Sequence, residues 1–404
     1  GGGPVKLEIG EQNVSGTWSK TLHDFIAFDA AYRNLKMANA TNEAVTLAEV
    51  TAKGSSTDKG NGLYDQTSSG GAKNLQVTST DGTMTIAGVD FTSESHGVKA
   101  AELRKFQEQW RTLLVALGEG KAPDKAVVDQ LRSYGNWIAD ARTHVDIAGI
   151  SFKQPDGTEA FGLEHFVIDG GGSGFDQPKG KFDIAFQNLG LKIPALDAEP
   201  AAEPFRQFIP VKVNLGFALD DLPPAELWAA FIDFFVNSGS FKEGDEAALS
   251  AAAQGAGLQL LQTLQQAGST FRITGWQVES AAARATLDGT VKSDPSSMFG
   301  AVASLKAEIG GLDAIIETVQ QTMGPDAMGF AGPLQMLRGY ANREAGADGK
   351  PVDRYAVEFP ASGQITINGK PFDAMGMMMG GQGEGMPPME GGEQAPSDGS
   401  TTVQ

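Results

Sequence analysis

The chain has 404 residues, of which 41% are hydrophobic, and its formal net charge is −19. Such an acidic surface repels phosphate backbones and anionic head groups, so we do not expect nucleic-acid binding. The chain contains no cysteine, which excludes disulfides, thiolate zinc sites and cysteine nucleophiles. No apolar run reaches the roughly 18 residues that a membrane-spanning helix requires.

The sequence starts with Gly1-Gly2-Gly3-Pro4 and has no initiator methionine. A start of this kind is typical of a processed or cloned terminus. It predicts that a signal peptide or an anchor helix has been removed.

The first segment, residues 5–95, is predicted to be an antiparallel meander. Residues 5–9 alternate strictly, and further β-type runs cover residues 25–28, 44–50, 75–78 and 83–91. Asp81-Gly82 is a hairpin signal between the last two runs. Residues 54–62 and 68–71 are predicted to be polar loops.

Residues 97–143 are predicted to be helical. One apolar stripe with spacings of mostly three and four residues consists of Leu103, Phe106, Trp110, Leu113, Leu114 and Leu117. Pro123 begins a second predicted helix, whose apolar residues are Val127, Val128, Leu131 and Ile138.

Residues 147–219 return to strands, with a hairpin signal at Asp156-Gly157, a glycine-rich loop at 170–174 and a spacer at 194–204. The clearest strand covers residues 211–219, where every odd position is large and apolar.

Pro223-Pro224 then introduces a helix with a broad aromatic face, which consists of Trp228, Phe231, Phe234 and Phe235. A second helix is predicted at 244–266, and strands are predicted at 270–280 and 283–291. A third helical block at 297–342 has apolar residues in a heptad spacing. A closing hairpin pairs residues 355–359 with residues 362–371.

This order of elements predicts an α+β fold, with a long curved antiparallel sheet and helical blocks packed on its concave face. We divide the chain into an N-terminal half at 1–200, a C-terminal half at 201–373 and a disordered Met- and Gly-rich tail at 374–404. Two packed α+β domains, divided near residue 200, are the alternative.

Motifs for catalysis or cofactor binding are absent from the sequence. Ser173 lies in a glycine-rich segment, but Phe175 stands where a G-x-S-x-G motif needs its last glycine. The four histidines are widely spaced, and residues 58–62 lack the glutamate that closes a calcium loop. The six methionines after Phe372 could bind Cu(I), although a passive tail is the simpler interpretation. We therefore predict no enzyme, no catalytic residue, no metal and no cofactor.

Apolar surface is the remaining candidate for function. A groove for an apolar ligand could be lined by Val211, Val213, Leu215, Phe217, Trp228, Phe231, Phe234 and Phe235. The structural alternative is that these residues form the core between a helix and the sheet.

The closing segment Gly363-Gln364-Ile365-Thr366-Ile367-Asn368-Gly369-Lys370-Pro371 resembles the end of bacterial envelope proteins related to AsmA and YdgA. The strand, Leu-Pro turn and helix from Ile209 to Leu227 are similar to the same group. The resemblance covers less than about a tenth of the chain. It implies a periplasmic protein with a curved β-groove and a role in lipid handling.

The leading functional hypothesis is therefore non-enzymatic binding or transport of a lipid-like ligand in a periplasmic β-groove. A second hypothesis is an envelope scaffold that binds other proteins through its helices. A third, which no residue spacing supports, is a hydrolase with a site built from scattered Asp, Glu and His.

Overall fold

One antiparallel sheet forms the framework of the protein. The computed structural model describes residues 6–20, 24–39, 44–133, 136–194, 196, 199–238, 246–297, 300–323, 328–346 and 349–372. Sixteen strands pair in chain order, except that β13 pairs only with β14, and the long curved sheet does not close on itself. The predicted long curved antiparallel sheet is thus confirmed.

The strands are β1 (Lys6–Ser19), β2 (Asp24–Ala38), β3 (Ala44–Gly60), β4 (Leu63–Ser79), β5 (Gly82–Lys99), β6 (Asp140–Lys153), β7 (Glu159–Ser173), β8 (Gly180–Leu189), β9 (Lys212–Leu222), β10 (Thr270–Glu279), β11 (Arg284–Ser293), β12 (Ala301–Gly310), β13 (Asn342–Ala345), β14 (Pro351–Phe359), β15 (Thr366–Ile367) and β16 (Lys370–Pro371). The helices are α1 (Ala100–Gly118), α2 (Lys125–Ser133), α3 (Pro224–Ser238), α4 (Glu246–Ala267), α5 (Leu312–Met323) and α6 (Met328–Tyr340), with a 3₁₀ helix at Pro200–Phe208.

The helices lie beyond the two opposite ends of the strands. Because strands of a meander alternate in direction, β5 and β9 run in the same direction, and their C-terminal ends lie on the same side of the sheet. Helices α1 and α2 follow β5, and α3 and α4 follow β9. The 3₁₀ helix and the α5–α6 pair follow β8 and β12, whose C-terminal ends lie on the opposite side of the sheet. Helices α1–α3 share a buried cluster of Leu113, Val128, Leu131 and Ile232.

Three segments predicted as loops are strands. Residues 54–60 belong to β3, residues 68–71 to β4 and residues 170–173 to β7. The serines and glycines there suggest loops, but side chains on adjacent strands contact these residues and stabilise the strands. Ser55 and Thr67 share a hydrogen bond of 2.8 Å across β3 and β4, for example.

The third predicted helical block is wrong in its first part. Residues 301–310 form β12, and helix α5 begins only at Leu312. On β12, Leu305 and Ile309 are four residues apart and lie on one face, with Ala307 between them and Ala303 next to Leu305 on the same face. Alanine is neutral in hydrophobic patterning, so the alternation was hidden and the spacing of four between the two large residues resembled a helix.

The closing hairpin is shorter than predicted. Only Thr366–Ile367 and Lys370–Pro371 form strands, and Asn368 in the turn between them has φ of 51°. Its side-chain oxygen accepts a hydrogen bond from the Ala356 amide, and its side-chain nitrogen donates to the carbonyls of Tyr340 and Arg354, each at 2.8 Å. The side chain of Asn368 thus makes hydrogen bonds with backbone groups that a regular strand would make with its own backbone.

The sheet continues through the division proposed near residue 200, because β8 pairs with β9 along most of its length. The hairpin turns at Asp81-Gly82 and Asp156-Gly157 are confirmed. The predicted disordered tail at 374–404 and His23 lie outside the described residues.

Candidate functional site

One face of the sheet is apolar over most of its width. Directly opposite residues on neighbouring strands point to the same face. One such row crosses nine strands without a charged residue, namely Val14, Ala30, Ala52, Gly70, Phe91, Val145, Ile168, Phe186 and Leu215. We call this side of the sheet the apolar face.

A second row carries the apolar face to the other end of the sheet. Its members, directly opposite one another from β8 to β14, are Phe182, Leu219, Phe271, Val291, Ala303 and Phe359. Phe182 and Phe186 are four residues apart on β8, so the two rows lie on the same face. Together they give an apolar surface from β1 to β14.

The other face, the polar face, carries ladders of charge. Arg33 Nη1 lies 3.2 Å from Glu11 Oε2, and Arg33 Nε lies 3.0 Å from Glu49 Oε1. Lys73 Nζ lies 2.9 Å from Glu49 Oε2, so positive and negative side chains alternate over four strands. Hydrogen bonds from Lys73 and Arg33 lower the pKa of Glu49. The two faces thus differ in chemistry, because side chains alternate between the faces along each strand.

In the first strands, the alternation of side chains between the two faces is interrupted at positions that lie opposite one another. Asn34 on β2, Asn74 on β4 and Gly149 on β6 have φ values of 54°, 52° and 63°. A residue in the left-handed region re-aims the side chains that follow it. Tyr32, two positions before Asn34, and Leu35, one position after it, therefore both lie on the apolar face.

Many side chains of the apolar face are accessible to solvent. Met37 and Met84 near one edge are 45% and 38% exposed, Val14 on β1 is 55% exposed, and Phe182 in the middle of the sheet is 37% exposed. Extended apolar surface that keeps contact with solvent marks a binding site for a ligand or a partner. This face is our candidate functional site.

The strand residues predicted to line a groove lie on this face. Leu215 is in the first row, and Phe217 is opposite Ile184 and Ile273. The Phe217 ring lies 5.8 Å from that of Phe271 and 5.1 Å from that of Trp276, between ring centroids. Val213 is opposite Val278, whereas Val211 precedes β9 and is 50% exposed.

The helix residues predicted for the groove lie in a different place. Trp228 and Phe235 pack against the buried cluster of α1–α3, and Trp228 Nε1 donates a hydrogen bond of 2.7 Å to the Leu131 carbonyl. Phe234 is half-buried, and Phe231 is 47% exposed. The eight predicted residues are therefore divided between the sheet and a helical cluster at its edge.

Sequence reasoning missed most of the apolar face. Phe91, Val145, Ile168 and Phe186 belong to it as clearly as Leu215 does. Phe91, Ile168 and Phe186 were interpreted only as parts of strands, and Val145 was assigned to no element. The signal that could have found them is the plain alternation of apolar residues along these strands, as in Val145 and Ile147 or Phe166 and Ile168.

Titratable groups cluster near the start of β14. Asp353 is buried, and its Oδ1 lies 3.2 Å from Arg343 Nε. Burial raises the pKa of Asp353, while Arg343 partly offsets this. Burial also raises the pKa of the neighbouring Tyr355 to about 12.

The described histidines pair with carboxylates. His144 Nδ1 lies 2.7 Å from Asp169 Oδ1, and His165 Nδ1 lies 3.0 Å from Asp146 Oδ1. Among the described residues, no group of three or more His, Asp or Glu could hold a metal ion. In the same part of the chain, no helix is long and apolar enough to cross a bilayer.

No family model, curated protein or solved structure matches the chain. The resemblance to envelope proteins related to AsmA and YdgA therefore stays a prediction.

Proposed function

We propose that the protein binds a lipid-like ligand along the apolar face and shuttles it without chemical change. The observation that carries this proposal is the apolar row that crosses nine strands without a charge. At a strand spacing of about 4.8 Å, this row follows about 40 Å of curved surface.

The energy available from such a surface is large. Each CH₂ group removed from water contributes about 0.8 kcal/mol, so full shielding of a palmitoyl-sized chain would contribute on the order of 12 kcal/mol. The solvent-accessible side chains of the apolar face lose exposed area at the same time. Binding therefore needs no charged or catalytic group on this face.

The proposal includes the location of the helices and of the protein. We infer that the helical blocks pack toward the concave side near both edges and narrow the opening of the groove. The contact of Leu103 on α1 with the buried pair Tyr64 and Val98 at the ends of β4 and β5 supports this arrangement. A periplasmic location and kinship with AsmA- and YdgA-related proteins are part of the same proposal and rest on the closing segment.

A pair of matched substitutions tests the proposal. Met84→Asp places a charge on the apolar face, whereas Thr92→Asp places one at an exposed position on the polar face of the same strand. Native mass spectrometry after mild purification should show lipid adducts on the wild type and on Thr92→Asp. Met84→Asp should lose most of them while keeping its circular dichroism spectrum. Absence of lipid from all three proteins, also after incubation with a lipid extract, would sink the proposal.

The helix α4 favours a second candidate, an envelope scaffold that binds other proteins. Leu258 and Leu261 lie on one side of this helix and are 64% and 57% exposed, and the helix has no charge after Glu246. Leu258→Gln combined with Leu261→Gln should abolish partner binding if this candidate is correct. The same variant should leave lipid adducts unchanged if the apolar face is the site.

A further inference from the structure

Among the residues that the structure describes, no strand pairs with the outer side of β1, which therefore forms one open edge of the sheet. Strand β1 spans 14 residues, and one of its sides pairs with β2. The opposite edge of the sheet ends in β15 and β16, which are two residues each. A long edge strand presents backbone groups that another strand can pair with, and short edge strands blunt this.

The strands near this edge are of two kinds. On β2 and β4 the apolar residues lie two positions before and one position after a left-handed asparagine, as Tyr32 and Leu35 lie around Asn34. On β3 the order is inverted, because Leu47 and Val50 lie one before and two after Ala48. The two kinds alternate along the sheet, since only opposite kinds keep apolar side chains on one face.

Strand β1 is of the second kind, with Ile9 directly before Gly10 and Val14 on the apolar face after it. The strand that extends the apolar face beyond β1 must therefore be of the first kind. A second copy would offer another strand of the second kind. If Gly10 of one copy lies opposite Gly10 of the other, polar side chains of the second copy fall on the apolar face. If the register shifts by one residue, the points at which the two strands invert their alternation no longer lie opposite each other.

Charge on the polar face specifies the partner further. The ladder runs from Glu11 to Arg33, Glu49 and Lys73 with alternating sign. The Glu11 side chain is 65% exposed at the open edge. A basic residue directly opposite Glu11 continues the alternation, and on β2 and β4 this residue directly precedes the asparagine.

We propose that the free edge of β1 pairs with a strand of another polypeptide. This strand has the pattern apolar, any, apolar, basic, Asn or Gly, apolar, any, apolar, and it widens the apolar face by one strand or more. The inference rests on strand register and charge, and it holds whatever ligand the face binds.

A synthetic peptide with the sequence of residues 28–38, which is of the first kind, is the probe. Hydrogen exchange of the full chain should show new protection of the β1 amides and unchanged protection of β2. Fluorescence anisotropy should show at least tenfold weaker binding when the peptide lacks the residue that corresponds to Asn34. Replacing its arginine by glutamate should weaken binding about three- to fivefold, and Glu11→Lys in the protein should reverse that loss.

Four results would overturn the proposal. They are no protection of β1, equal binding of a peptide of the second kind with the sequence of residues 44–53, loss of protection on β2 through strand displacement, and a dimer of the chain that protects β1 without peptide.

Discussion

Phe91 lies against Gly70 across the β4–β5 ladder, so closely that a Cβ on Gly70 would be 2.7 Å from Phe91 Cε1. Phe28 covers Gly54 in the same way, and Phe175 covers Gly172. Glycine in a strand leaves room for the ring of an aromatic neighbour. These pairs put aromatic surface on the apolar face where small residues alone would leave gaps.

The first prediction concerns Gly70. In Gly70→Ala the new Cβ would also clash with the carbonyl oxygen of Thr51, which is a backbone atom and cannot move aside. We expect a loss of about 1–3 kcal/mol in the free energy of unfolding, the usual cost of overpacking. Gly88→Ala on β5 is the control, because its Cβ would meet open space and alanine is the better strand residue. Urea titrations in which both variants lose equal stability would contradict the close approach of Phe91.

The second prediction concerns the level at which alternation inverts. Asn74 has φ of 52°, a region that β-branched residues rarely adopt. Asn74→Val should cost about 1–2 kcal/mol of stability, whereas Asn74→Gly should change it by a few tenths. Gln76→Val, at an exposed position of the same strand, controls for added hydrophobicity. Equal melting temperatures of the two valine variants would show that no left-handed residue is needed there.

The third prediction separates core from surface in the helical cluster. Ile232 is fully buried, and its neighbour Phe231 is 47% exposed. Ile232→Ala should lower the free energy of unfolding by about 2–5 kcal/mol, and Phe231→Ala by at most about 1 kcal/mol. Tryptophan fluorescence follows the change, because Trp110 and Trp228 pack against this cluster. A larger effect at Phe231 would mean that its ring belongs to the core.

The fourth prediction concerns alkaline pH. Burial, with help from the Asp353 charge, raises the pKa of Tyr355 from 10.0 to about 12. Between these values the unfolded chain has lost the phenolic proton and the folded chain has kept it, so stability falls as pH rises. A shift of this size corresponds to about 2 to 3 kcal/mol. Between pH 9 and 12, the free energy of unfolding should therefore fall by about 2 to 3 kcal/mol less in Tyr355→Phe than in the wild type. Equal losses in the two proteins would contradict the burial of a neutral phenol.

The sequence was informative where strands carry large residues at alternating positions. The strand predicted at 211–219 became β9, and the strands predicted at 270–280 and 283–291 became β10 and β11 with boundaries within two residues. Here side-chain period and local turn signals agree, so the period alone identifies the element.

Prediction failed where small or polar residues occupy long strands. Gly70 and Gly54 suggest loops, because the aromatic residues that cover them lie on other strands, far away in sequence. Leu305 and Ile309 suggested a helix for a similar reason, since their partners on β11 and β14 are not visible from local spacing.

The sequence identified only one strand of the apolar face. Leu215 and Phe217, which were predicted to line a groove, lie on this face, and the face continues over strands that the prediction did not include. Trp228 belongs instead to a cluster with α1 and α2, which join β5 to β6. Helices inserted between distant strands can contact each other only when they lie beyond the same ends of the strands. Which ends these are follows only from the complete strand order.

The most direct test of the central claim is site-specific photo-cross-linking to a lipid. A photoreactive phenylalanine analogue at Met84, on the apolar face, should form adducts with lipid acyl chains, and mass spectrometry would identify them. The same analogue at Thr92, on the polar face of the same strand, should form almost none. Equal labelling at both positions, or none at Met84 with lipid in excess, would contradict a lipid-binding apolar face.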